Sequence, residues 1–170
     1  MAEIESQTCV RFVPKSLLDV NFVYIQKGKD CASNVGRVGG GQPLSLSPRC
    51  IQYGIILHEL LHALGFWHEQ SRYDRRRFVD IHWFNIKPLM LPNFFIERYI
   101  TYKKSPYYIM SDVGLPYDYD SIMHYSPYTF ARNKDRPTIS PKDDNVNIGQ
   151  RSGLSEINYN LGYSFLENGY

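Results

Sequence analysis

The sequence predicts an α+β fold on three observations: strand-like alternation confined to the first third of the chain, one strong helical pattern over residues 51–65, and a second half punctuated by prolines. At 170 residues the chain fits one domain, 1–170, with room for a real core. Hydrophobic residues make up 43% and charged residues 21%, a balance that argues against disorder or a repeat architecture. The 14 Tyr and 9 Phe give the core bulk and supply side chains able to line a peptide-binding groove.

Taken in order, residues 1–7 have a helix-compatible composition, and residues 9–13 and 21–25 alternate as strands do. Pro14 closes the first of these strands. The glycine-rich stretch Gly36-Arg37-Val38-Gly39-Gly40-Gly41 leads to Pro43, which suits the first position of a third strand at Leu44-Ser45-Leu46. Over residues 51–65 the apolar positions Ile55, Ile56, Leu60 and Leu64 follow helical spacing, and Gly65 is placed to end the helix. Beyond it, Pro88, Pro92, Pro106, Pro116, Pro127, Pro137 and Pro141 leave room for a longer regular element only at about 87–99.

The formal net charge of +2 arises from mixed signs, and the densest basic run, Arg75-Arg76-Arg77, is short and bordered by Asp74 and Asp80, so a nucleic-acid partner is not expected. No apolar run approaches the roughly 20 residues that cross a bilayer, and Met1-Ala2-Glu3-Ile4-Glu5 lacks the apolar centre of a signal peptide. Three cysteines leave one over if any bridge forms. Cys31 and Cys50 flank the glycine-rich loop and are the first choice for a disulfide, which their spacing alone does not establish.

The chemistry concentrates in His58-Glu59-Leu60-Leu61-His62. Two imidazoles four residues apart stand one above the other on a helix face and can share one metal. Continuing the helix to His68 would turn that residue roughly 120° away and carry it about 9 Å past His62, so the helix must break first. Gly65 lies where the break is needed, because glycine adopts the left-handed conformation that turns a chain sharply. Three neutral imidazoles leave zinc an open position for water, whose pKa the metal brings toward neutrality. Glu59 sits about 100° around the helix from His58, out of easy reach of the same ion, and is placed as the general base for that water and then as the acid for the leaving amine. An isolated HExxH also occurs in helices that bind no metal. Gly65 and His68 complete the longer spacing H-E-x-x-H-x-x-G-x-x-H, which is far more specific.

The run His58-Glu59-Leu60-Leu61-His62-Ala63-Leu64-Gly65-Phe66-Trp67-His68-Glu69-Gln70-Ser71-Arg72-Tyr73-Asp74-Arg75 closely resembles the active-site signature of the astacin family of zinc metalloendopeptidases, within the metzincin clan. Downstream, Ser121-Ile122-Met123-His124-Tyr125 resembles that family's Met-turn. The resemblance implies a two-lobed metzincin (zincin-like) fold, with a twisted sheet and the active-site helix in an N-terminal lobe of about 1–65 and a loop-rich C-terminal lobe of about 66–170. It implies one Zn(2+) per chain on His58, His62 and His68, with Met123 beneath it and Tyr125 as a further ligand that moves aside to hydrogen-bond the oxyanion; a phenol has the chemistry for both roles. Read without the resemblance, Tyr125 is one of many packed tyrosines and Met123 a core residue. His82 and His124 fall outside the ligand pattern and are assigned structural roles.

The resemblance further implies that an extended substrate pairs with an edge strand near Cys31, Ala32, Ser33 and Asn34, and that Arg151 helps the pocket after the scissile bond favour acidic side chains. The alternative for Arg151 is a bridge between loops. Relatives begin further upstream, so the resemblance implies a catalytic domain truncated at both ends. Missing would be the first strand and the start of the first helix, and Glu69 would be left more exposed and without its buried partner. In the family the position of Cys9 is bridged to a cysteine at the end of the C-terminal helix; residues 159–170 contain none, so the resemblance implies that Cys9 is unpaired. The expected function is a secreted, monomeric zinc endopeptidase that hydrolyses internal bonds of protein or peptide substrates by zinc-bound water activated by Glu59. The alternatives are a catalytically impaired fragment acting as a binding or decoy module and a structural zinc module, for which Glu59 would be dispensable.

Overall fold

A computed structural model describes residues 1–96 and 115–158. Helix α1 (Ala2–Gln7) ends at Thr8, whose extended backbone breaks the helix and whose Oγ1 donates to the Ile4 carbonyl at 2.6 Å. The strand expected at residues 9–13 does not form. Its backbone donors are taken by side chains of the helix end, Val10 N–H by Thr8 Oγ1 at 3.1 Å and Phe12 N–H by Glu5 Oε1 at 2.9 Å, while Val10 and Phe12 pack on the core. A segment whose donors are met locally needs no neighbouring strand.

Strand β1 (Phe22–Lys27) runs parallel to β3 (Gly41–Leu46), and the two-residue β2 (Ala32–Ser33) pairs antiparallel on the other side of β3, giving the order β1-β3-β2. In register, Ile25 faces Leu44, and Ala32 faces Ser45. The third strand is longer than the sequence predicts and holds Pro43 inside it rather than at its start. The proline is tolerated because β2 reaches only Leu44 and Ser45, so beside Pro43 the ladder is open on that side. Period-2 alternation buries Gln42, Leu44 and Leu46. A disulfide joins Cys31 to Cys50, Cα to Cα 5.8 Å, tying the start of β2 to the 3₁₀ turn Pro48–Cys50 beyond β3.

Helix α2 (Tyr53–Ala63) buries Leu57, Leu60 and Leu61 against Leu44, Leu46, Phe66, Ile122 and Met123 in one apolar cluster. Its end is a Schellman motif: Gly65 N–H donates to the His62 carbonyl at 2.8 Å and Phe66 N–H to the Leu61 carbonyl at 3.0 Å, with Gly65 at φ 106°. Gly54, in the first turn, weakens the helix by about 1 kcal/mol relative to alanine. A close backbone approach explains it, since a Cβ there would stand 1.9 Å from the Arg151 carbonyl oxygen.

The second half is held by short 3₁₀ turns and one small sheet, β4 (Val79–Ile81) antiparallel to β5 (Ile139–Pro141). Three-residue strands are too short to show an alternation, which is why the sequence gives no sign of them. The element expected at about 87–99 is a 3₁₀ helix over Pro88–Phe94 with Pro92 inside it; positions 97–99 lie outside the described residues. A second apolar cluster gathers Val79, Ile86, Phe94, Tyr117, Tyr125, Ile139 and Ile148. No helix among the described residues is long and apolar enough to cross a membrane.

Candidate metal centre

Helix α2 presents His58 and His62 on one face, and the Gly65 turn brings His68 back to them. His68 Nε2 lies 3.3 Å from His58 Nε2 and 3.2 Å from His62 Nε2. Backbone carbonyls fix the other side of two rings. His58 Nδ1 lies 2.9 Å from the Ile122 carbonyl and His62 Nδ1 lies 2.8 Å from that of Phe66. A carbonyl only accepts, so each Nδ1 carries the proton and each Nε2 presents a bare lone pair. Burial pushes His58 down to about 3, with the neighbouring His62 acting in the same direction, and His62 down to about 4, so both rings are neutral. Burial likewise holds His68 well below its ordinary value.

Ring nitrogens brought this close with no proton between them repel unless a cation lies among them. A tetrahedral zinc with Zn–N bonds of about 2.05 Å sets its ligand nitrogens about 3.3 Å apart, and the spacings found here fit that ion. The three converging nitrogens could hold one metal ion.

Glu59 is buried beside the triad, and its Oε2 has no hydrogen-bond partner among the described residues. Burial pushes its carboxyl up to about 7, against which the Arg151 charge acts. An orphaned carboxylate oxygen beside a set of histidines that could hold a metal has the chemistry to accept and return a proton.

Met123 is 1% exposed and packs beneath α2 with Leu57 and Leu60, while its carbonyl accepts Glu69 N–H at 3.2 Å. The Tyr125 ring lies against that of His68, centroids 4.5 Å apart and planes tilted by 55°. Its backbone is fixed on both sides, N–H to Gln70 Oε1 at 3.2 Å and carbonyl to His124 Nδ1 at 2.8 Å. Burial raises the Tyr125 phenol to about 12, so it keeps its proton at neutral pH. His124 is fully buried and meets Tyr117 Oη at 2.7 Å, and His82 meets Ser140 Oγ at 2.8 Å.

Glu69 departs from expectation. It is 7% exposed, and its Oε1 accepts from Asp118 N–H at 2.9 Å and Arg72 Nη1 at 3.2 Å. Arg72 in turn grips Asp74 with two bonds, at 3.0 and 2.9 Å, and the Pro116 and Leu115 carbonyls. The chain's own cation and amide thus satisfy the carboxylate that was expected to be exposed.

Arg151 Nη1 donates to the His124 carbonyl at 3.1 Å and to that of Gln150, so it bridges loops, yet its charge also acts on Glu59 and Tyr125. Ala32 and Ser33 form edge strand β2, with Cys31 and Asn34 at its ends. Sequence reasoning missed the Ile122 and Phe66 carbonyls that aim the imidazoles, for which no residue letter codes. It also missed Gly54, whose place in a helix was a legible signal.

The family model for astacin, a peptidase family, matches residues 1–163. The zinc metalloproteinase nas-14 of Caenorhabditis elegans is 49% identical over 158 residues, covering 91% of this chain and 30% of that protein. The astacin-like metalloendopeptidase of Gallus gallus is 45% identical over 159 residues, covering 92% of this chain and 36% of that protein. The chain therefore spans about a third of the length of these relatives. Among solved structures, high choriolytic enzyme 1, a hatching enzyme zinc-protease from the medaka fish Oryzias latipes, matches with a TM-score of 0.86 at 37% identity, covering 98% of this chain and 78% of that one. That likeness bears out the α+β metzincin fold expected from the sequence.

Proposed function

This chain belongs to the astacin family of peptidases, and from that premise we propose that it is a secreted zinc endopeptidase that hydrolyses internal peptide bonds of proteins. The observation that carries the reading is the convergence of three neutral Nε2 atoms beside a buried, unpartnered carboxylate oxygen. His58, His62 and His68 would hold one zinc ion. Zinc so bound supplies a Lewis acid for the scissile carbonyl and brings the pKa of water toward neutrality.

The rest is the work of side chains. Glu59 takes a proton from the attacking water as its oxygen adds to the carbonyl carbon, and delivers it to the departing amine nitrogen as the C–N bond breaks. Tyr125, which keeps its proton and lies against His68, would donate to the oxyanion, and in the resting enzyme its oxygen would serve as a further ligand. Met123 supports the ligand set from below. The edge of β2, residues 31–34, pairs with the extended backbone of the substrate, an arrangement that tolerates many sequences. Arg151 offers its charge to an acidic side chain after the cleaved bond. The whole is read as one peptidase domain with lobes of about 1–65 and 66–170; one apolar cluster lies wholly within the second lobe, and the other joins residues of both.

The test is Glu59→Gln. It deletes the proton carrier and no ligand, so we expect stoichiometric zinc and a fall in turnover of roughly 10²–10⁴-fold on an unstructured protein substrate. Unchanged turnover would remove Glu59 as the proton carrier, and a wild-type chain that holds zinc yet leaves such substrates uncut would overturn the reading in favour of a binding module.

A further inference from the structure

Two glycines that take no part in the proton chemistry border the segment that carries Arg151. Gly54 lies four residues before His58, on the same face of α2. A Cβ there would meet the Arg151 backbone at 1.9 Å from its oxygen, 2.5 Å from its carbonyl carbon and 2.7 Å from its Cα. Gly149 has φ +82°, a conformation that L side chains rarely adopt, and a Cβ there would stand 2.3 Å from Cα and 2.6 Å from N of Ser126, the residue after Tyr125. All of these neighbours are backbone atoms, which cannot swing aside as a side-chain tip can. Gln150, between them, anchors the same strap through Nε2 to the Asp120 and Gly153 carbonyls at 2.6 and 2.8 Å. Residues 149–151 are thus pressed onto α2 on one side and onto the Tyr125 segment on the other, and the Arg151 side chain is tied to His124.

We infer that Gly54 and Gly149 are positioning residues: by letting backbone touch backbone, they set the guanidinium of Arg151 against the cleft and thereby set the preference for an anionic substrate side chain after the cleaved bond. The inference rests on the role proposed for Arg151 above. Relieving the contact at Gly54 from 1.9 Å to the 3.4 Å of ordinary packing moves the strap by about 1.5 Å, and a charge so displaced no longer meets its partner squarely.

The test uses zinc-loaded full chain and two peptides that differ only in Asp or Asn after the scissile bond, reading the ratio of their kcat/KM values. Arg151→Gln lowers the ratio about tenfold or more. Gly54→Ala and Gly149→Ala lower it comparably, through KM for the Asp peptide, while zinc stays stoichiometric and turnover of the Asn peptide is little changed. If Arg151→Gln lowers the ratio and the glycine variants keep it, positioning by the glycines is overturned while the role of Arg151 stands. If Arg151→Gln itself leaves the ratio intact, the role of Arg151 fails and the inference falls with it. Should either alanine variant fail to fold, the other decides, and Gln150→Ala loosens the same strap without adding an atom; a wild-type ratio there also refutes the inference.

Discussion

Glu59 and Arg151 share an electrostatic link that turnover reports. Burial pushes the Glu59 carboxyl up, and the guanidinium opposes that rise. Glu59 must be ionised to accept a proton, so kcat/KM falls as pH drops through its pKa. Arg151→Gln removes the opposing charge, makes the carboxyl harder to ionise and moves the acidic limb of the pH–rate profile to higher pH. Bound zinc lowers the pKa in both proteins, so the sign of the difference persists. A limb that does not move removes the link. At this scale the sequence was most informative where chemistry depends on spacing: His58, Glu59 and His62 are fixed by helical periodicity alone, and His68 by the glycine between. It was silent where a main-chain carbonyl does the work, as at Ile122 and Phe66.

Among the elements, the end of α2 is the most sensitive. Gly65→Ala places a Cβ at φ 106°; we expect about 1–2 kcal/mol of lost stability in urea titration and weaker zinc retention against a chelator, because His68 depends on that turn. Wild-type behaviour in both measurements would show that the turn does not position the third imidazole. The Cys31–Cys50 bridge spans 19 residues of sequence, and replacing both by serine is expected to lose about 3 kcal/mol by the chain-entropy account, read as a lower urea midpoint. The helix was legible because eleven residues give its apolar face time to recur. Residues 9–13 misled because alternation says nothing of where a strand's donors go, and Thr8 and Glu5 had already taken them. β4 and β5 escaped notice through brevity.

Across the whole molecule, the loop-rich half is anchored by buried cations. Arg72 reaches Glu69, Asp74 and two carbonyls, while Arg75 Nη1 donates to the carbonyls of Gln70 and Phe94. Composition could not assign the distant carbonyls among them, since Phe94 lies 19 residues from Arg75 and Leu115 and Pro116 more than 40 from Arg72. A metal that binds only the folded chain adds to its stability by mass action. We therefore expect EDTA to lower the thermal midpoint, and free zinc at about 100 times its Kd to restore about 2.7 kcal/mol; a midpoint indifferent to both would mean that the imidazoles do not share an ion. The bond from His58 to Ile122, 64 positions later, has a temporal meaning. A nascent chain already carries all three imidazoles long before residue 122 leaves the ribosome, but the first of them is free to spin. On the proposed function, the ligand set is oriented only once the later segment has docked, which ties any cleavage to completion of the fold.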